Sequence, residues 1–233
     1  MNIFYKPHIN ADHIVLDPKE SAHCIKVLRS KKGDRVYLID GRGGYYEAEI
    51  VEDDPRACRI SIVSSQFDYQ PLNYELHLAV APTKSMDRFE WFIEKATEIG
   101  ITSITPIQCS RSERKNIRKD RIEKVMIAAA KQSVKAYFPD IQELTPFADW
   151  VKQHRGKAGY IAHCMDGQKT DIRQIPVHES LYIAIGPEGD FTPEELKLAQ
   201  GCGFESMSLG AFRLRTETAA VFVCSALSYK LQV

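Results

Sequence analysis

The chain has no excess of charge of either sign: Lys+Arg and Asp+Glu both total 31. No net field therefore draws it toward nucleic acid, and any basic footprint must be local. No run of about 18 apolar residues appears, so no membrane span is expected. The opening stretch, Met1-Asn2-Ile3-Phe4-Tyr5-Lys6-Pro7, lacks the apolar core of a secretion signal. The six cysteines (24, 58, 109, 164, 202, 224) are widely spaced, with neither a CxxC nor an HExxH pattern. No metal site is expected from them. Cys58, Cys164 and Cys224 sit in apolar runs and read as small core residues. Together these features imply a reducing, cytoplasmic setting. A P-loop and a strand–GxGxxG–helix unit are also missing, which disfavours an ATPase or a nicotinamide enzyme. There is no internal repeat and no low-complexity segment.

What is present is an ordinary globular composition, 44% hydrophobic and 27% charged over 233 residues. That length suits two domains of unequal size. Residues 1–68 read as β-rich. Val36/Leu38, Tyr46/Ala48/Ile50 and Cys58/Ile60/Ile62 alternate within three short runs, starting near Arg35, Tyr45 and Cys58. Gly41-Arg42-Gly43-Gly44 reads as the turn between the first two. Asp17-Pro18-Lys19-Glu20 supplies a helix start. Several short strands with one helix suggest a small barrel. Residues 69–73 read as a linker to a second domain, 74–233. There, strand-like runs alternate with helices from Asp87 to Ile99, Asp120 to Ala136, Thr192 onward and Glu217 to Lys230. This alternation predicts an α/β fold with a mostly parallel sheet.

In such sheets ligands bind at the carboxyl ends of strands. Two of these ends carry unusual loops. Gly186-Pro187-Glu188-Gly189-Asp190-Phe191 follows the apolar run Leu181–Ile185. Gly210-Ala211-Phe212-Arg213-Leu214-Arg215-Thr216 follows Glu205–Leu209 and runs straight into the last helix. The first loop by itself is a tight turn. Taken singly, Thr216 reads as a helix cap and Phe212 and Leu214 as core; as a pair, the loops are more specific. A third loop is expected near His163 to Asp166, where His163 by itself reads as a packing or hydrogen-bonding residue.

The pairing of Gly186-Pro187-Glu188-Gly189 with Leu209-Gly210 and Leu214-Arg215-Thr216-Glu217-Thr218-Ala219 resembles the ribosomal small-subunit RNA methyltransferase E family, of the SPOUT class. Lys95-Ala96-Thr97-Glu98-Ile99-Gly100, Pro106, Arg111-Ser112, Ala129-Ala130-Lys131-Gln132-Ser133 and Pro139 extend the likeness. In the small domain His23, Val27-Leu28-Arg29 and Gly33-Asp34 do the same, so it spans nearly the whole chain. Two positions depart from the family pattern: Asp190 stands where a glycine is usual, and Phe212-Arg213 where Arg-Ile is usual.

The resemblance implies an N-terminal PUA-like β-barrel that grips RNA, and a C-terminal α/β SPOUT domain with a deep trefoil knot that binds S-adenosylmethionine. It implies N3-methylation of one uridine in the decoding region of 16S rRNA, with the rRNA or the small ribosomal subunit as partner, and a homodimer. Alternatives are a methyltransferase acting on another RNA such as tRNA, and a non-catalytic RNA-binding assembly factor. The cofactor residues implied are His163, Gly186, Glu188, Gly189, Leu209, Gly210, Leu214 and Thr216. Arg215 is the expected stabiliser of negative charge on the uridine. Glu217 is either the base or a residue that favours the helix start, and Glu188 is a weaker candidate base. For RNA contact two basic clusters stand out. Lys26 and Arg29 lie with Lys31, Lys32 and Arg35; Arg111, Arg114 and Arg118 lie with Lys115, Lys119 and Arg121. Solvated faces are the bland reading, but one cluster per domain suits a substrate that bridges both. Arg42 with Tyr45 and Tyr46 could stack on a base.

Overall fold

A computed structural model of the chain describes residues 1–9, 11–176 and 178–231. It divides into two units, Met1–Pro71 with Ile127–Phe138, and Leu72–Met126 with Pro139–Val233.

The first unit holds β1 (Ile3–Tyr5), β2 (His13–Val15), α1 (Pro18–Ala22), β3 (Arg35–Ile39), β4 (Tyr45–Glu52) and β5 (Arg59–Gln66). The strands form one sheet in the order β1-β3-β4-β5-β2, antiparallel except for β1 with β3. The Asp17 carboxylate accepts from the Lys19 and Glu20 amides at 2.9 Å each, and Pro18 sits first in the helix. These two devices start α1 where the sequence expects it. It runs on into a π-helical turn, His23–Val27. The alternating positions Val36, Leu38, Tyr46, Ala48, Ile50 and Ile60 all point inward, packed with Phe4, Cys24 and Cys58. β1 and β2 are three residues each, too short for alternation to register in the sequence.

The second unit contains β6 (Glu75–Val80), α2 (Met86–Ile99), β7 (Ser103–Gln108), the first half of α3 (Lys119–Ser133), β8 (Asp140–Ile141), β9 (Thr145–Pro146), α4 (Phe147–Gln153), β10 (Gly159–Ala162), β11 (Thr170–Asp171), β12 (Ser180–Ile185), α5 (Pro193–Gly201), β13 (Glu205–Ser208) and α6 (Thr216–Leu231). The main sheet order is β11-β13-β10-β12-β6-β7-β8, with β9 also on β7, and every pairing is parallel. β12 lies between β10 and β6, so its run of Leu181, Ile183, Ala184 and Ile185 is buried. α2 turns Phe89, Phe92, Ile93 and Ala96 inward and stops at Gly100, whose φ of 101° an L residue rarely adopts. α5 begins on the expected capping box, with Thr192 and Glu195 bonding each other's backbone. Among the described residues no helix is long and apolar enough to cross a membrane, and no cluster of three metal-ligating side chains forms.

Three features differ from the sequence reading. α3 ends at Ser133, three residues before Ala136, because Val134 takes φ 57°. Its later residues and the turn after it, Ile127–Phe138, pack with the first unit. Ala130 and Ala136 are buried with Ile3 and Ile39, and the Gly43 amide donates to the Ala136 carbonyl at 2.9 Å. A Cβ on Gly43 would collide with the Tyr137 ring, so this close docking needs glycine. Finally, Cys164 is exposed, because β10 ends at Ala162 and leaves it on a loop.

One buried polar bridge closes the second unit. The Tyr74 hydroxyl donates to the Gly100 carbonyl at 2.8 Å and meets the Ser228 hydroxyl at 2.7 Å. Tyr74→Phe keeps the ring and removes both bonds, so it should lower the unfolding free energy by about 1–3 kcal/mol. Equilibrium urea unfolding measures this, and a change below a few tenths of a kcal/mol would be evidence against the bridge.

Candidate functional site

β13, β10 and β12 are neighbours and run parallel, so their carboxyl ends lie side by side. The three loops that leave them meet around one cavity of about 740 Å³. That is within the usual range for a small-molecule site. The first loop contributes His163, Cys164 and Lys169, the second Gly186, Pro187, Glu188 and Asp190, and the third Leu209 to Arg215.

Specific bonds hold the loops together. The Thr216 hydroxyl, in the first turn of α6, donates to the Gly186 carbonyl at 3.0 Å and joins the third loop to the second. The Asp190 carboxylate accepts from the Cys164 amide at 2.8 Å and joins the second loop to the first. Lys169 closes the first loop on itself by donating to the His163 carbonyl at 2.9 Å. Glu188 accepts from the Lys84 amide at 3.0 Å, which anchors the second loop to the chain after β6.

The glycines serve different purposes. A Cβ on Gly186 would press the Phe191 ring at 3.0 Å. Gly210 has φ 112° and nothing within 4 Å of where a Cβ would stand. Its bare backbone lies in the cavity wall, where a side chain would be strained and would project into the space. Asp190 also sits in the left-handed region, at φ 63°.

Of the residues singled out in the sequence, His163, Gly186, Glu188, Leu209, Gly210, Leu214, Arg215 and Thr216 all line the cavity. Gly189 and Glu217 do not. The Gly189 carbonyl accepts from Arg111 at 2.8 Å, and a Cβ there would meet the Arg111 Cβ at 3.2 Å. Its small size makes room for that arginine. The Glu217 side chain is 8% exposed, with one oxygen 3.9 Å from Arg88 Nε and the other buried without a hydrogen bond. Residues the sequence reading did not assign to the wall include Asp190, Lys169 and Phe212. Phe212 is 86% exposed, the opposite of the core role its residue type suggests. The loop between Gly210 and α6 has no layer of structure over it at this residue.

Burial, and then the charge of Lys169, push the His163 imidazole below its ordinary value, against opposing pulls from Asp190 and the Met165 backbone. Neither ring nitrogen completes a hydrogen bond among the described residues. Burial in the cavity wall thus disfavours the charged form of the ring.

The basic clusters fare differently. Arg111 donates to Gly189 and Phe191 carbonyls, and Arg114 to those of Thr83 and Lys84. Arg118 pairs with Asp120, and Arg121 with Glu90. Lys26, Arg29 and Arg42 are exposed and make no ion pair among the described residues. Tyr46 is buried with its hydroxyl on Asp40, and Tyr45 is stacked on Tyr37 and Tyr69.

A parallel sheet whose strand-end loops enclose a glycine-walled cavity, preceded by a small β-rich unit, defines a two-domain α/β protein with a small-molecule site at its strand ends. An RNA methyltransferase domain model matches residues 70–228 and an RNA methyltransferase PUA domain model matches 16–63. The chain is 33% identical, over 85% of its length and 87% of the other's, to the ribosomal RNA small subunit methyltransferase E of Mesomycoplasma hyopneumoniae. A probable rRNA-methyltransferase from Porphyromonas gingivalis matches its structure with a TM-score of 0.92, at 35% identity over 100% of this chain and 98% of that one. A methyltransferase from Legionella pneumophila, solved with bound cofactor SAM, gives 0.88 at 28% identity over 98% and 97% of the two chains. The chain belongs to the ribosomal RNA small subunit methyltransferase E family.

Two outcomes follow from this geometry. Thr216→Val keeps the shape and removes the donor to Gly186, so it should cost about 1–2 kcal/mol of stability in denaturant titration. Thr216→Ser should keep most of that; a Val variant as stable as the parent would mean the bond is idle. The lowered His163 value has a definite sign. Above the unfolded value near 6.5 the ring is neutral in both states, and below it the unfolded chain takes up the proton first. Stability should therefore fall as pH drops below about 6.5, and fall less in His163→Asn, as read by thermal melts across pH.

Proposed function

We propose that the chain transfers a methyl group from S-adenosylmethionine to N3 of one uridine in the decoding region of 16S rRNA. The observation that carries this reading is the cavity, backed by the bare backbone of Gly186 and Gly210 and edged by Arg213 and Arg215. Neither arginine makes an ion pair among the described residues. The name of the relatives and the cofactor bound in the Legionella pneumophila structure support it.

When bound, S-adenosylmethionine supplies a methyl group already activated on a sulfonium, which leaves as a thioether. Gly186, Leu209, Gly210 and Leu214 would hold the adenosine, and Glu188 and Asp190 favour a cationic ligand by their charge. His163, whose charged form burial disfavours, adds little positive charge to oppose the sulfonium. N3 lies on the Watson–Crick edge and carries a proton, so the base must leave its stack and lose that proton. As the proton leaves, negative charge grows on the uracil oxygens, and Arg215, which lines the cavity, would stabilise it. Arg215 cannot be the base, since a guanidinium stays protonated. Glu188 lines the cavity and keeps one carboxylate oxygen without a hydrogen bond, which supports it as the proton acceptor. The burial of Glu217 beside Arg88 supports its other reading, as a residue of the helix start.

On the same reading the domains are 1–68 and 74–233, the smaller one closes as a PUA-like barrel, and the larger one carries the deep trefoil knot. Lys26, Arg29 and Arg42 form the RNA-gripping face of the smaller domain. Trp91 on α2 and Phe222 and Tyr229 on α6 are exposed, although those helices pack on each other. An apolar surface of this kind supports a homodimer. The enzyme would act in the cytoplasm, without a metal ion.

Calorimetry should detect binding of S-adenosylmethionine, and rRNA nucleosides from cells lacking the chain should lose N3-methyluridine by mass spectrometry. Retention of that nucleoside would overturn the substrate. Arg215→Ala should slow single-turnover methyl transfer by about 100- to 1000-fold with little change in cofactor affinity. Glu188→Gln should be slow near neutrality and partly recover at higher pH, where solvent ionises the uridine. Glu217→Gln should keep its rate.

A further inference from the structure

Phe212 lines the cavity beside the residues that would hold the cofactor. It is an aromatic side chain with 86% of its surface in water, the most exposed of all large hydrophobic side chains described. Exposure on a loop tip would be unremarked by itself, but this ring stands in the wall of the cavity, between Gly210 and Arg215. It is flanked in sequence by Arg213, also exposed and also without an ion pair among the described residues. No aromatic or cationic side chain packs on the Phe212 ring, whereas ten other aromatic pairs form across the described residues. The loop is braced at its end by the Thr216 hydroxyl on Gly186.

We propose that Phe212 stacks on the face of the target nucleobase and, with Arg213 and Arg215 beside it, holds that base at the cavity. The chemistry is that of single-stranded RNA recognition: an unstacked base needs a new π-face, and the adjacent guanidinium groups meet its phosphate and carbonyl oxygens. A phenyl ring gives binding that is indifferent to hydrogen-bond pattern, so it positions the base while other groups read its edge. Charge complementarity selects the occupant. Two unpaired arginines on the same loop suit a polyanion and are poorly suited to an apolar protein surface. The inference rests on the methyltransferase reading above and adds to it the residue that receives the base.

The test uses the full chain, S-adenosylmethionine and small ribosomal subunits lacking the methyl group. Phe212→Ala and Phe212→Leu should each lower kcat/KM for the subunit about 10-fold or more, in the range expected for a lost base–aromatic stack, with the cofactor Kd and the melting temperature unchanged. Phe212→Tyr and Phe212→Trp should restore most of it. In the Trp variant, emission should be quenched when RNA is added, beyond the change seen with the parent chain's own two tryptophans. Parent-like kcat/KM in Phe212→Leu would overturn the stacking role, since any apolar side chain would then suffice. A cofactor Kd weakened as much as kcat/KM in Phe212→Ala would also overturn it and assign the ring to the cofactor. If the parent itself methylates no subunit, the substrate reading fails along with the stack; if it methylates and Phe212→Ala does too at full rate, only the stack fails.

Discussion

The bond from the Thr216 hydroxyl to the Gly186 carbonyl ties together the two loops that form most of the cavity wall. Gly186 is the first residue beyond β12, and Thr216 opens α6. In an open parallel sheet, neighbouring strand ends come together by topology, but the loops that leave them have no such constraint. Here a buried side chain crosses from the helix to the strand end and fixes the distance between two loops thirty residues apart. The same placement orients Arg215. Its carbonyl accepts from the Ala219 amide at 2.8 Å, so it is the residue on which the helix begins. A guanidinium at that place adds to the partial positive charge of the helix end, and both favour negative charge at that side of the cavity. Glu217, two residues further in, is turned toward Arg88 instead.

Charge in this chain is spent in two ways that a count cannot separate. Arg111 and Arg114 read as half of an RNA-binding cluster, yet their guanidinium groups satisfy four backbone carbonyls, at Gly189, Phe191, Thr83 and Lys84. Those carbonyls belong to the second loop and to the segment after β6. A loop that must hold an irregular shape cannot pair its carbonyls in a ladder, and a forked donor with five N–H groups is well suited to gathering them. Gly189 fits the same account: the missing side chain is what lets the stem of Arg111 lie against it. Lys26, Arg29 and Arg42 have no such duty and remain available at the surface.

The sequence exposed the fold where a pattern was long enough to repeat, and the site where glycines and an arginine motif marked strand ends. α2, α5, α6, β12 and the alternation of β3 to β5 were legible for that reason. β1 and β2 were not, because three residues cannot show a period. α4 was missed as well; it is seven residues long and its Pro146 N-cap makes no side-chain capping bond. The packing of Ile127–Phe138 with the first unit was hidden by helix periodicity that runs through Ile127 without a break. In the site the difficulty was direction. A motif says which residues are neighbours in the chain, but Arg215, Thr216 and Glu217 point to the cavity, to Gly186 and to Arg88 respectively. Phe212 escaped for the opposite reason: its residue type argues for burial, and only the loop's lack of cover leaves it in water.

Asp190 shows how a departure from a family pattern can keep a backbone shape by other means. The resemblance leads to the expectation of glycine there, and the φ of 63° suits that residue, since the left-handed region disfavours a Cβ. Aspartate is among the residues that tolerate this region best, because its short carboxylate bonds locally. Here one oxygen accepts from the Phe191 amide at 2.8 Å and the other from the Cys164 amide at 2.8 Å. The first bond offsets local strain; the second reaches across to the first loop, which no glycine could do. The substitution therefore retains the turn closed by the Asp190 amide on the Pro187 carbonyl and adds a tie between loops. It also brings a carboxylate to the cavity wall, so the cavity's charge balance is set by Glu188 and Asp190 against Lys169, Arg213 and Arg215. That balance places acidic groups on the second loop and basic ones at the first and third, and a zwitterionic ligand has a partner for each of its ends.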